Sequence, residues 1–342
     1  MTYTPIFQRP TTSRRALVLS AALACAATSG WVQAQTQPPI KILVGAPAGG
    51  TTDTMARTLA QVLGTQLGRT VVVENKPGAG GHLGGKYVAD QPADGYTLMV
   101  GSIGLHAAYG IYKKLTYNPA TDLRVVTVLA EMPHVVVASP ALTAKDLRQL
   151  SDMAKKAPGT INFGSAGVGS SVHMMGELYK LQSGAPIVHV PYRGSSAALN
   201  DLLGGQIQLM FENPPTVLAH VRSGKLRALA VTGKERLAAL PDVPTATESG
   251  VPGFAATSWT TVALSSRVPQ AVVEKINADV RKVVSAPEFR KGLEDQGMSA
   301  VANSLADAKT FVTIFLATTT SPTGTAATAC WRPSARPGWT SA

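Results

Sequence analysis

The 342-residue chain carries 31 Lys and Arg against 20 Asp and Glu, a formal net charge of +11. Its cations stand singly, as Lys41, Arg57, Arg69, Lys76 and Lys86 do, or in short pairs such as Lys113-Lys114 and Lys155-Lys156. Without a basic helix or interleaved aromatics the pattern excludes nucleic acid as a partner and leaves a solvated basic surface that attracts anions.

The chain opens with Arg9, Arg14 and Arg15 and no acid, then an apolar run from Ala16 to Ala27 and small and polar residues as far as Gln35. This order reads as a signal peptide over residues 1–34, with Val32 and Ala34 as the small residues before cleavage after Ala34. About a dozen apolar residues fall short of the roughly 20 that a spanning helix needs. The Arg14-Arg15 pair also fits twin-arginine export, but the general secretory route to the periplasm is the expected one. Cleavage lowers the net charge by three, to +8, and removes Cys25; Cys330 alone then excludes an intramolecular disulfide. About 300 residues remain, enough for two lobes with separate cores, and no later apolar stretch reaches membrane-spanning length.

From Ile40 short β-branched runs alternate with helical patterns, the signature of α/β units with mostly parallel strands. The first series predicts a strand over 40–45, a helix over 54–67, a strand over 70–74, a Gly-rich turn, a helix over 84–90 and a strand over 96–101. The second predicts helices over 145–156, 171–182, 195–203 and 215–223, separated by strands over 160–164, 187–190, 207–211 and 226–231. Two extended stretches, 124–139 and 255–265, separate and follow the series, as in a hinged protein whose chain leaves one lobe, builds the other and returns. The expected division is lobe 1 over 38–132 and 262–312, lobe 2 over 140–254, and hinge strands over 133–139 and 255–261. Helices over 270–284 and 288–296 are expected to pack back on lobe 1.

Three strand-to-helix loops carry the candidate chemistry. The first, Gly45 to Asp53, offers glycines for close backbone approach and a helix N-terminus suited to an anion. It lacks the G-x-G-x-x-G spacing and the P-loop lysine, which disfavours nucleotides. The second, Gly164 to Ser171, repeats the arrangement in the other lobe, and two such N-termini facing across a cleft suit a dicarboxylate. The third, His189 to Ser195, offers Tyr192 to close over a ligand and Arg193 either to pair with a carboxylate or to sit on the surface. Glu212, at the end of the following strand, has a ligand-binding and a structural reading. The six histidines lack metal-ligand spacing, so neither metal nor cofactor is expected. Ser165 and Ser170 lack a nucleophile elbow and have no activating His or acid placed by sequence, so the chain is read as a binding protein and not an enzyme.

The segments P-A-G-G-T-T-D, E-N-K-P-G-A-G-G, A-D-G-Y-T-L, M-P-H-V-V-V, P-G-x-I-N-F-G-S-A-G-x-G-S, H-V-P-Y-R-G, L-L-G-G-Q-I, G-K-L-R-A-L-A-V-T and L-P-D-V-P-T fall in one order. That order, from about Ile40 to about Val312, resembles the Bug family of tripartite-tricarboxylate-transporter receptors. The resemblance implies a two-lobe, type II-like Venus-flytrap periplasmic binding protein, acting as a monomer, that holds a small carboxylate. It implies delivery of an amino acid, di- or tricarboxylate or aromatic acid to membrane transporter components; the alternatives are a ligand sensor signalling to a membrane sensor kinase and, behind it, an exported enzyme using the same cleft. Carried over by motif, the ligand-binding candidates are Pro47, Gly49, Gly50, Thr51, Thr52 and Asp53 in the first loop. Ser102, Ser165, Gly169, Ser170, Tyr192 and Glu212 complete the set, Glu212 standing where many relatives have Asp. The family's amphipathic last helix is not matched: residues 313–342 hold no acid and are rich in Thr. They are read as a disordered tail produced by a shift of reading frame.

Overall fold

The computed structural model describes residues 38–107, 112 and 114–320, so the expected leader and residues 321–342 of the expected tail lie outside the described residues. The first sheet starts with β1 (Ile40–Val44), buried at every position except the half-buried Lys41. α1 (Thr51–Leu67) buries Met55, Ala56, Leu59, Ala60 and Leu63, the spacing of one helical face, and stops at Gly68, whose left-handed φ of 60° returns its N–H to the last turn. β2 (Val71–Asn75) and β3 (Thr97–Ser102) flank β1 in parallel, with α2 (His82–Asp90) between them in sequence. The short helices α3 (Ile103–Ala107) and α4 (Pro119–Asp122) lead to the long β4 (Leu123–Pro133).

The chain then changes sheets. β5 (Val135–Ala138), α5 (Leu147–Lys156), β6 (Asn162–Ser165), α6 (Ser171–Ser183), β7 (Val188–Pro191), α7 (Ser195–Leu203), β8 (Leu209–Glu212), α8 (Pro214–Arg222) and β9 (Arg227–Val231) build the second lobe. β10 (Thr257–Ser265) returns to the first sheet, followed by α9 (Gln270–Ser285), α10 (Pro287–Glu294), β11 (Ser299–Ala300) and α11 (Leu305–Thr320). The strand orders are β11-β4-β10-β3-β1-β2 and β7-β6-β8-β5-β9. The result is the two-lobe α/β architecture with two crossings.

Three expectations need correction. The sheets are mixed rather than mostly parallel: β10 runs antiparallel to β3 and β4, and β5 antiparallel to β8 and β9. A strand that arrives from the other lobe enters its sheet from the opposite end. The crossings are also narrower than the expected hinge strands, because residues 135–138 already belong to the second sheet and residues 257–261 to the first. Thr232 ties the two crossings together. Its hydroxyl accepts the His134 N–H at 2.8 Å and donates to the Ala256 carbonyl at 2.6 Å, while its backbone pairs with the same two residues. Finally, helix α11 runs eight residues past Val312, the expected last ordered residue. Pro322 is the first proline beyond it, so nothing before that position breaks the backbone ladder.

Each lobe has its own core: Val44, Leu59, Val100 and Val280 in the first, Val137, Leu202, Met210 and Val217 in the second. A third apolar cluster joins Val128 and Trp259 of the first lobe to Phe163 and Phe211 of the second and takes in Val312 of α11. Phe311 meets Trp259 edge-on at 5.6 Å.

Candidate ligand cavity

The C-terminal ends of β1 and β3 in the first lobe, and of β6, β7 and β8 in the second, face one cavity of about 730 Å³. That is within the roughly 300–1,000 Å³ of small-molecule sites. Pro47, Gly50, Thr51 and Thr52 line it from the first loop, Ser102 from the end of β3, and Ser170 and Tyr192 from the second lobe. Helix α1 begins at Gly50 with no side chain capping its first turn, and α7 begins at Gly194 in the same state. Two N-termini thus present backbone donors and positive dipole ends to one space, the second being α7 rather than the expected α6, whose first turn the Ser170 hydroxyl caps by accepting the His173 N–H. Arg193 supplies the only charged side chain among the described residues that line it; no carboxylate does.

The other expected site residues hold the loops. Asp53 is 3% exposed; its carboxylate accepts the Gly49 N–H at 3.0 Å, the Arg57 guanidinium at 2.9 and 3.0 Å, and the Asn75 amide at 2.9 Å. Burial alone raises its pKa, but these hydrogen bonds outweigh burial and hold it below the ordinary 3.8. Asn75 also donates to the Ala46 carbonyl, so two side chains fix the loop from behind. Gly49 is absent from the lining because its N–H turns toward Asp53.

Ser165 is fully buried, and contrary to the expectation it does have a histidine beside it: His189 Nε2 lies 2.6 Å from its Oγ. The parallel pairing of Phe163 with His189 across β6 and β7 brings them together over 24 positions of sequence. The same Oγ also bonds the Gly167 N–H and carbonyl, and burial, with His173 and Lys180 nearby, lowers the His189 pKa to about 3. The pair therefore braces the second loop beneath its surface. His173 caps that brace: its ring stacks 4.2 Å from His189 and its Nδ1 accepts the Gly169 N–H at 3.2 Å, which keeps Gly169 out of the lining.

Tyr192 is a fixed wall rather than a closing flap, because its hydroxyl donates to Asp201 of its own lobe at 2.7 Å. Burial and that hydrogen bond push the phenol up to about 12. Glu212 lies under the surface, wholly buried, with Oε1 accepting the Asn213 N–H at 2.9 Å. Burial raises its carboxyl to about 7.

The lobes touch around the cavity. Thr51 and Thr216 place their hydroxyls 3.1 Å apart, and the Tyr112 hydroxyl donates to the Val168 carbonyl at 2.9 Å. Gly194 has φ 136°, a region closed to most L side chains, and a Cβ there would meet Pro47 Cγ at 2.9 Å. The cleft is closed. Sequence reasoning missed Tyr112, Ser258 and Thr260, which also line it; the period-two spacing of Ser258 and Thr260 on one face of β10 was the available signal.

A cavity between two touching lobes, with uncapped helix N-termini at the strand ends, is the geometry of a solute receptor. Residues 55–319 match the family described as "Tripartite tricarboxylate transporter family receptor". The chain belongs to this receptor family. Among similar proteins of the family, BugT of Bordetella pertussis is 36% identical over 293 residues, 84% of this chain and 90% of BugT. The solved R. palustris Rpa4515 with adipate is 33% identical, with a TM-score of 0.79 over 82% of this chain and 94% of that one. MatC of Rhodopseudomonas palustris with bound malate is 31% identical, with a TM-score of 0.77 over 82% and 96% of the two chains. Members of this receptor family are solute binders rather than enzymes, and no helix among the described residues is long and apolar enough to cross a membrane.

Proposed function

We propose that the protein is a periplasmic receptor that closes on a small carboxylate and presents it to the membrane components of a tripartite tricarboxylate-type transporter. The observation that carries this reading is the pairing of two uncapped helix N-termini, at Gly50 and Gly194, on one cavity with no carboxylate among its described lining residues. Backbone donors at the ends of α1 and α7 hold the anion. Pro47, Gly50, Thr51, Thr52, Ser102, Ser170 and Tyr192 contact the ligand, whereas Gly49, Asp53, Ser165, Gly169 and Glu212 shape the loops that do so. The adipate and malate in the two solved relatives support a carboxylate of this size. Export through the general secretory route with cleavage after Ala34, and action as a monomer, complete the reading.

The test is a thermal-shift panel of mono-, di- and tricarboxylates on the exported chain. A ligand present at 100 times its Kd stabilises the fold by about 2.7 kcal/mol, which several degrees of Tm report. Selective upward shifts support the reading; a cooperative melt that no carboxylate moves refutes it.

A further inference from the structure

The cavity has a second polar region that the helix N-termini do not explain. Thr260 lies on β10, two strands from β1, a separation of about 10 Å across the sheet. It pairs in register with Ser102 and lines the cavity. Its side chain is 2% exposed, and its hydroxyl is buried without a hydrogen-bond partner. From the other lobe Asn213, 9% exposed, lines the same cavity with its Oδ1 equally buried and unpartnered. An orphaned buried polar atom is costly, and here the two residues that carry one each line one ligand-sized space from opposite lobes.

The orientation of Asn213 is fixed from behind. Glu212 Oε1 takes the Asn213 backbone N–H at 2.9 Å and faces its Nδ2 at 3.5 Å. An acidic oxygen accepts and so holds the amide's donor end, leaving the carbonyl end, Oδ1, without a donor. Glu212 is thus a positioning residue: it sets which half of the Asn213 amide is available to a ligand. An acceptor left open in this way is completed by a ligand that brings an N–H or O–H.

We infer that Asn213 and Thr260 form a subsite that reads a hydrogen-bond donor, a hydroxyl or amino group, on the body of the carboxylate ligand, and that Glu212 sets its polarity. The inference rests on the receptor reading above and narrows the substrate class to hydroxy or amino acids over their unsubstituted skeletons.

Matched ligand pairs that differ by one hydroxyl test it: malate against succinate, and citrate against tricarballylate, by titration calorimetry on the whole chain. The wild type is expected to bind the hydroxylated member of at least one pair about tenfold or more tighter. Asn213→Leu and Thr260→Val should each bring that ratio to about threefold or less. Glu212→Met, which removes the oxygen that holds the Asn213 amide and so lets it turn over, should also lower the ratio, an effect that a merely structural Glu212 would not produce. If one variant fails to melt cooperatively, the other two carry the test. Equal affinity for both members of both pairs, or variants that keep the wild-type ratio, overturn the subsite while leaving the receptor reading in place. Absence of binding by the wild type to all four acids overturns both.

Discussion

Gly104→Ala is the sharpest probe of whether closure of the lobes and ligand binding are one event. Gly104 sits in α3 of the first lobe with ordinary helical geometry, so alanine adds no backbone strain there and in an isolated helix is favoured by about 1 kcal/mol. In the closed protein its Cβ would lie 2.7 Å from the Gly169 carbonyl oxygen of the second lobe. Real carbon–oxygen contacts are several tenths of an ångström longer, and the obstacle is backbone, so the lobes must part. Overpacking of this kind costs about 1–3 kcal/mol, and the cost falls on the closed state alone. Ligand affinity should fall by about 5- to 150-fold, while the unliganded Tm stays level or rises. Calorimetry measures the first, and small-angle scattering reports a larger radius of gyration for the variant in saturating ligand. Wild-type affinity in a variant of unchanged Tm would refute the reasoning.

Thr51→Val and Thr216→Val should each weaken binding by about 2- to 10-fold through loss of one hydroxyl pair; in a double-mutant cycle the two losses should be strongly non-additive, and simple additivity would deny the contact. Glu212 should make stability fall as pH rises: its native carboxyl holds a proton to about 7, whereas the unfolded group releases it near 4.5. Its contribution is intact below pH 4.5 and is lost by about 3 kcal/mol as pH passes 7, so Glu212→Gln should flatten the denaturation profile between pH 5 and 8. Phe311→Ala, which removes the ring packed on Trp259, should cost about 1–3 kcal/mol in urea melts if α11 is an integral part of the fold.

The sequence was most readable where local chemistry is decisive. Helix α7 is expected over 195–203 and found there, because Gly194 and Gly204 punctuate an apolar-periodic segment at both ends. The crossings were harder to read. β4 (Leu123–Pro133) and β5 (Val135–Ala138) form one nearly continuous extended stretch rich in Val, and periodicity cannot tell where such a stretch passes from one sheet to the other. Asp53 shows the same limit at the site: an acid in the first turn of a helix fits a ligand contact and a loop brace equally well until Arg57, Asn75 and the Gly49 N–H are seen to share it. The contacts of Ser165 with His189, and of Thr51 with Thr216, depend on strand register and lobe closure, which no local pattern encodes. The Thr-rich segment after Val312 looked non-helical because Thr is a poor helix former, yet packing of Phe311 and Val312 anchors the turns that precede it.

Neither of the two acids expected to reach the ligand, Asp53 and Glu212, lines the cavity, and this has a chemical consequence. Asp53 accepts the Gly49 N–H in one lobe and Glu212 Oε1 accepts the Asn213 N–H in the other, so each acid braces a loop beside the cavity. Fixing the loops with acids placed behind them, Asp53 ionised and Glu212 holding its proton to about pH 7, leaves the cavity lining without a carboxylate, so the field there is that of the helix N-termini and Arg193. Such a field attracts any small anion and distinguishes poorly among them. Discrimination must then come from the uncharged groups on the cavity floor, of which Asn213 and Thr260 are the buried pair without partners. On the proposed reading selectivity resides at positions that carry no charge, and exchanging those two side chains should change which acid is bound more than exchanging any ionic residue of either loop.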